Sequence, residues 1–324
     1  MAYTPASNLI ADHGHAIQDK YYAKTGLGVL TKKTRFATAA EMDEIPLRSG
    51  RTVQWYRDAV PVANTTATTE GSVGTGQTGS GVNISATIAQ YADYMTFSDA
   101  VVDVALDGRV NRHAKSFGYR GALTCDTIYR NVIDAAATAQ TPLSGAAGVI
   151  SRRDFASAAV LLQGVDIQPQ SNGYFFALTH PYITYDLQND VNAGELMDLT
   201  KYTNPGTVMS REDRGFVGRF NQVELWESTN VTVTAGSPNT YRSYIIGDGA
   251  YGIVDLAGRG PSKVTDPATQ MFSIVARNNI GPDKADPEGK IRAFVSYNFW
   301  TVAVSKDSAN VRMRKIDASS SVAA

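Results

Sequence analysis

The sequence predicts an α+β fold, and three features predict it. Two stretches that alternate as strands do are separated by a nearly uncharged Gly/Thr/Ser segment. One long helix with a single apolar stripe follows, and the C-terminal part alternates again. A length of 324 residues allows one large domain or two to three modest ones. With 43% apolar residues the chain can bury a sizeable core, while its 19% of charged residues lies below the ~25% of an average globular protein. The formal net charge of −1 argues against a dedicated DNA-gripping surface, which would carry a basic excess. It suits a surface that sits beside nucleic acid without holding it.

A single cysteine, Cys125, leaves no intramolecular disulfide framework and no cysteine zinc site, and a reducing compartment is the natural one. Residues 1–30 carry no signal-peptide pattern, and no apolar run approaches the ~20 residues that span a bilayer. The expected product is soluble, cytoplasmic where it is made, and has no membrane partner.

Residues 1–45 read as an N-terminal arm with a short helix around 7–23. Pro46 then biases the chain toward an extended conformation. Residues 47–62 alternate polar and bulky side chains as a strand does. Residues 82–97 form a second strand, with Ile84, Ala86, Ile88, Ala92 and Tyr94 on one face and Ser85, Thr87, Tyr91, Asp93 and Met95 on the other. Between them, 63–81 has no aromatic residue, no long apolar side chain and one charge, Glu70. Two long strands joined in this way make a projecting ribbon, which is marginal alone and must lie on something else.

Ser98-Asp99 is a helix start, with a second at Asp107. Val110, Ala114, Phe117, Gly121, Cys125, Ile128, Val132 and Ala135 then recur at spacings of three and four as one stripe. Arg109, Arg112, Lys115, Arg120 and Arg130 lie off it, and His113 falls on the polar side. Proline and glycine stop the run within 140–145. About thirty residues at 1.5 Å each make a spine of roughly 45 Å. Ser151 caps a helix over 152–162, 174–178 is a buried strand, and His180-Pro-Tyr182 opens a helix to about 189. A polar excursion spans 192–215, and strands follow at 222–227, 229–234 and 241–246. The last part holds strands at 271–277, at 290–305 with Val295, Tyr297 and Phe299 alternating, and at 311–316. No internal repeat is visible.

None of the chemistry-bearing residues assembles an active site. Gly247-Asp-Gly-Ala-Tyr-Gly252 matches a dinucleotide loop, but Ile253–Pro261 is a poor helix and no βαβ unit surrounds it, so it reads as a turn. His13 and His15 lack the helical spacing and partners of a metal pair and read as surface residues. His180 reads as a helix-opening residue, and Asp99 with Asp103 as a solvated face. Cys125 sits on the apolar stripe and reads as core. Lys32, Lys33 and Arg35 form a small basic cluster suited to inter-subunit pairing. The expectation is no catalytic residue, no metal and no cofactor.

The chain order of arm, projecting ribbon, long spine, inserted α/β part and return to β strands resembles the Hong Kong 97-like capsid fold of tailed bacteriophages. It is most similar to the major capsid proteins of the coliphage N-four type. The residues that carry the resemblance are Pro46-Leu-Arg-Ser-Gly50, Glu70-Gly71, Ile84–Tyr91 with Ser98-Asp99, Thr124-Cys-Asp126, and His180-Pro-Tyr-Ile-Thr-Tyr-Asp-Leu187. The resemblance implies an icosahedral shell of hexamers and pentamers around double-stranded DNA bound without sequence specificity. It implies an N-terminal arm (1–45), an extended loop (46–97), a peripheral domain with the spine helix (98–140), an axial domain (141–262) and a return to the peripheral domain with a C-terminal tail (263–324). Further implied partners are a portal protein, a separate scaffolding protein and, as an option, a decoration or cement protein. The place is the virion capsid, assembled in the bacterial host cytoplasm. Some members of this fold weld subunits through a loop lysine. Here no lysine occurs between Lys33 and Lys115, so the shell is expected to be non-covalent.

The candidate inter-subunit residues follow from the ribbon and the spine. Glu70, the only charge from Ala59 to Ala92, is expected to pair with Arg109, Arg112 or Arg120 of an adjacent subunit, with simple solvation as the alternative. Trp55 and Tyr56 are aromatic anchors for an interface, or else core packing beneath the ribbon. Arg48, Arg51 and Arg57 on and beside the first ribbon strand complete the set. Competing classes are an encapsulin-like compartment, a phage tail-tube or decoration protein, and a cytoplasmic enzyme. A compartment would hold cargo enzymes in place of a genome, a tail-tube subunit should lack the spine, and an enzyme needs a convergent pocket.

Overall fold

A computed structural model describes residues 35–59, 61–74, 76–104, 109–145, 148–189, 216–261, 265–266, 271–272, 275–278, 286–307 and 311–323. For 104, 109–112, 114, 115, 323 and the described residues of 265–278 it describes the backbone alone. The expected helix at 7–23, His13, His15, Lys32, Lys33 and the excursion at 192–215 lie outside the described residues.

The chain opens with β1 (Glu41–Ile45), then β2 (Thr52–Asp58), β3 (Gly81–Thr87) and β4 (Ala89–Ser98). Helix α1 (Asp99–Val104) precedes the spine, α2 (Arg109–Ala136), which is followed by β5 (Thr138–Gln140). Helix α3 (Arg152–Gln163), β6 (Phe175–Thr179), α4 (Pro181–Asn189), β7 (Phe216–Phe220), β8 (Val223–Glu227), β9 (Val233–Thr234) and β10 (Thr240–Ile246) form the middle of the chain. The remainder is β11 (Tyr251–Leu256), β12 (Thr265–Asp266), β13 (Met271–Phe272), β14 (Val275–Asn278), β15 (Ile291–Ser305) and β16 (Met313–Ser319).

Two sheets share the long helix. In the first, β1 runs parallel to β11, β11 is antiparallel to β15, and β4 and β14 also pair antiparallel with β15. The second has the order β5-β16-β10-β6-β8-β7, with β9 added beside β10. Strand β15 alternates as expected. Val295, Tyr297 and Phe299 point inward, onto a core shared with Phe117, Cys125, Tyr129 and Ile133 of α2. Strand β6 is buried on both faces, which explains its unbroken apolar run. Its Phe176 and Leu178 face the α2 core, while Phe175 and Ala177 face a second core under α3 and α4. The second sheet is therefore the wall between two cores.

The 28-residue α2 spans roughly 42 Å at 1.5 Å per residue, and it packs against both sheets. Its buried arc is rotated from the stripe expected. Tyr129, Ile133 and Ala136 are buried, Ile128 and Val132 are half-buried, and Ala135 is exposed. A wall on each side widens and turns the arc, which a one-sided stripe does not anticipate. His113 is likewise not on a bare polar face, because its ring lies 5.7 Å from that of Phe97. The helix ends at Ala136, so that 138–140 can join the second sheet as β5.

Residues 82–97 are two strands, not one. Ile84, Ala86 and Ile88 point inward, whereas beyond Ala89 the inward set is Tyr91, Asp93, Met95 and Phe97. The change of face marks where the chain leaves the ribbon and joins β15; Tyr94 consequently turns outward. The strand expected at 229–234 shrinks to β9 because the chain turns at Ser228–Asn230 to bury Asn230. Residues 35–45 are also not a free arm, since Phe36 is fully buried in the α2 core and β1 lies in the first sheet.

Residues 247–250 form the turn between β10 and β11, strands of different sheets, and Tyr251 and Gly252 already belong to β11. Gly249 has φ +57, and a Cβ on Gly247 would collide with Ile167. Glycine serves the crossing between sheets at these two positions.

Candidate inter-subunit surface

The ribbon is built from β2 and β3 in antiparallel register, Thr52 opposite Thr87 through Asp58 opposite Gly81. Period-2 alternation divides β2 into two faces. Val53, Trp55 and Arg57 point toward the subunit, and Gln54, Tyr56 and Asp58 point away. Val53 and Trp55 pack against a small apolar cluster of Ile45, Ile88 and Val254. Trp55 Nε1 donates to Asp43 Oδ2 at 2.8 Å. Arg57 Nη2 donates to the Gly249 carbonyl at 3.0 Å. Its pKa is lowered by desolvation first and by neighbouring Arg312 second, while Asp307 and Glu41 oppose the shift. Of the residue pair expected to anchor an interface, Trp55 is thus engaged with its own subunit. Tyr56 is the outward one, 66% exposed, and its ring lies over Gly81, where a Cβ would collide with it.

Beyond Asp58 the chain leaves the body. Residues 59, 61–74 and 76–83 are all exposed, Val73 at 98%. The two arms of this loop are held by Ala59 N–H donating to the Ser80 carbonyl at 2.7 Å and Gln77 Nε2 donating to the Val62 carbonyl at 2.8 Å. At the tip, Ser72 N–H donates to the Thr69 carbonyl at 3.0 Å, and Gly71 has φ +81. A positive φ at the third residue of such a turn is what glycine supplies. Glu70 therefore sits at the apex, and among the described residues no cation meets it.

The arginines divide into two groups. Arg120 Nη2 pairs with Asp93 Oδ2 at 2.8 Å within the subunit. Arg51 lies 5.2 Å over the Trp300 ring. Arg48 occupies the turn before the ribbon at φ +69 and is exposed. Arg109 and Arg112 lie in the first turn of α2, with side chains outside the described residues.

Two clusters escaped the sequence. Asp126, 3% exposed on α2, accepts the backbone N–H groups of Arg35 and Phe36 on Oδ1, each at 2.9 Å, and Asn230 Nδ2 on Oδ2 at 2.7 Å. Desolvation pushes its pKa up to about 6, against the hydrogen bonds and Arg130, which pull it down. Arg35 places its guanidinium 4.6 Å over the Trp226 ring. The signal for Asp126 was present, because it lies four residues after Ala122 and three before Tyr129 on the buried arc. The second cluster joins α2 to the second sheet. Arg242 donates to both oxygens of Asp317, at 2.6 and 2.8 Å, and to Asp134 at 2.6 Å. These bonds raise its pKa, Asp317 first.

Burial pushes the Cys125 thiol well up, which keeps it protonated as a core side chain. His180 opens α4, with Nδ1 accepting the Tyr182 N–H at 3.2 Å, and its ring stacks on Tyr241. Asp99 uses Oδ1 locally, on the Ala100 N–H at 2.7 Å. Among the described residues no group of His, Cys, Asp and Glu could hold a metal ion.

No protein-family model matches the sequence, and no curated protein sequence is significantly similar to it. Solved structures are similar over nearly the whole chain. The capsid of Ralstonia phage GP4 contains a chain with a TM-score of 0.62 at 11% identity, covering 97% of this chain and 98% of that one. The capsid of cyanophage P-SCSP1u contains one with a TM-score of 0.60 at 13% identity, covering 94% of each. The capsid asymmetric unit of cyanophage Pam1 gives 0.59 at 14% identity, covering 94% of this chain and 97% of that one. At such identities the likeness is one of fold. The mixed α/β architecture, with its sheets around a long helix, is that of chains in phage capsids.

Proposed function

We propose that this chain is the major capsid protein of a tailed bacteriophage, with the Hong Kong 97-like fold and of the coliphage N-four type. It self-assembles into hexamers and pentamers of an icosahedral shell enclosing double-stranded DNA. The observation that carries this reading is the end-to-end likeness of fold to phage capsid chains, which leaves little of either chain unmatched. The exposed ribbon supports it. A loop of this length without secondary structure is uncommon unless it has a function, and a shell supplies a neighbour for it to lie on.

In this reading the ribbon and its tip form the extended loop over an adjacent subunit. Residues 98–140 with α2 and residues 263–324 belong to the peripheral domain and 141–262 to the axial domain, with β11 of the axial stretch lent to the first sheet and β16 of the C-terminal stretch lent to the second. Tyr56, Glu70, Arg48 and Arg51 meet the neighbour directly, and Arg109 and Arg112 are the cations offered to a neighbour's Glu70. Trp55 and Arg57 serve the interface by holding the ribbon from beneath. Bonding is non-covalent, since the ribbon carries no lysine. Portal, scaffolding and cement proteins are the further partners of such a shell.

The content of purified particles tests the reading. Nuclease-resistant double-stranded DNA in particles from the phage-producing host is expected. Particles holding a defined cargo enzyme and no genome would instead assign the chain to a protein compartment.

A further inference from the structure

One basic side chain outside the ribbon holds the ribbon's root. Lys306, just past β15, keeps only 8% of its side chain exposed. Its Nζ donates to Glu41 Oε2 and, at 3.4 Å, to Asp43 Oδ2, and it lies 4.7 Å over the Trp55 ring. Trp55 in turn donates to the same Asp43 oxygen. Each of Lys306, Asp43 and Trp55 therefore touches the other two, and the three come from the end of β15, from β1 and from the ribbon. The backbone contributes as well, with Lys306 N–H donating to the Ala250 carbonyl at 3.0 Å. Room for the lysine stem comes from Gly252, where a Cβ would collide with Lys306 Cε.

The geometry gives the cation a task. Glu41 and Asp43 are like charges two residues apart on one face of β1, and the ammonium between them offsets their repulsion. A near-buried ammonium stays favourable only while paired, so it resists any movement that separates Trp55 from β1. Val53 on one side and Arg57 on the other extend the same attachment along β2.

We propose that Lys306 is a positioning residue that fixes the attitude of the ribbon to the subunit body. The ribbon is then presented to a second copy of the chain as a strut that bends beyond Asp58 and not at its root. This inference rests on the ribbon being the inter-subunit element.

Hydrogen–deuterium exchange on the unassembled full-length subunit tests it. In Lys306→Met, which keeps the stem and removes the charge, amides of 52–58 and 81–87 should exchange about tenfold faster while α2 is unchanged. Lys306→Arg, which keeps a cation, should stay within about threefold of the parent. Unchanged ribbon exchange in Lys306→Met, or a rise spread equally over α2, would overturn the proposal. Shell yield, read separately by sedimentation, distinguishes the two ideas. A loosened ribbon with undiminished yield leaves the clamp standing and removes the ribbon from the interface.

Discussion

Arg120 and Asp93 form an ion pair of 2.8 Å that joins α2 to β4 within one subunit, so one of the three arginines expected to meet a neighbour's Glu70 is already engaged. The pair is largely solvated, with side chains 62% and 30% exposed, and such pairs contribute ~0.2–1 kcal/mol. A double-mutant cycle of Glu70→Ala and Arg120→Ala on particle heat resistance should therefore be additive within ~0.5 kcal/mol. A coupling above ~1 kcal/mol would place the pairing at Arg120 after all.

Tyr56 and Trp55, adjacent in sequence, should behave oppositely. Tyr56→Ala removes an exposed ring and should leave subunit unfolding in urea within ~0.5 kcal/mol, while lowering the sedimenting, assembled fraction. Trp55→Ala removes a half-buried ring that bonds to Asp43, and should lower subunit stability by ~1–3 kcal/mol before assembly is considered.

The phase of α2 is testable on two neighbouring residues. Ile133 is fully buried and Val132 only half-buried. Ile133→Ala should cost ~2–5 kcal/mol in subunit unfolding, and Val132→Ala less than ~1.5 kcal/mol. The reverse order would restore the stripe expected from spacing alone.

Asp126 should give subunit stability a specific pH dependence. Its folded pKa near 6 lies above the ordinary 3.8, so the folded state binds the proton more tightly than the unfolded state. The contribution is fully present below about 3.8 and is lost as pH rises through about 6. Once both states are ionised, the difference costs the folded state roughly 3 kcal/mol. In Asp126→Asn this component disappears, and the gap between parent and variant unfolding free energies should change across that window and be flat above pH 7. A gap independent of pH from 4 to 7 would contradict the assignment.

Much of this architecture was legible in local patterning. The inward set Val295, Tyr297 and Phe299, the buried run of β6 and the start of α3 at Ser151 all follow from periodicity and capping, which neighbours in sequence decide. What failed was set by distant partners. The change of face after Ile88 depends on β15, some two hundred residues away, and the rotation of α2 depends on two sheets closing on it. The ribbon's low charge identified it as a projection. Which of its two aromatic residues faces outward was hidden, because it is decided by Asp43 on another strand and by Lys306, far along the chain. The role of Asp126 was not legible because its partners Arg35, Phe36 and Asn230 lie 90 to 104 residues away, although its spacing placed it on the buried arc.

Assembly is tested most directly by negative-stain imaging of the chain purified from cells that make it together with its scaffolding protein. Closed icosahedral particles of uniform diameter, with capsomers visible at five- and six-fold positions, are the predicted result. A field of dispersed monomers, or open tubes without five-fold vertices, would contradict the account.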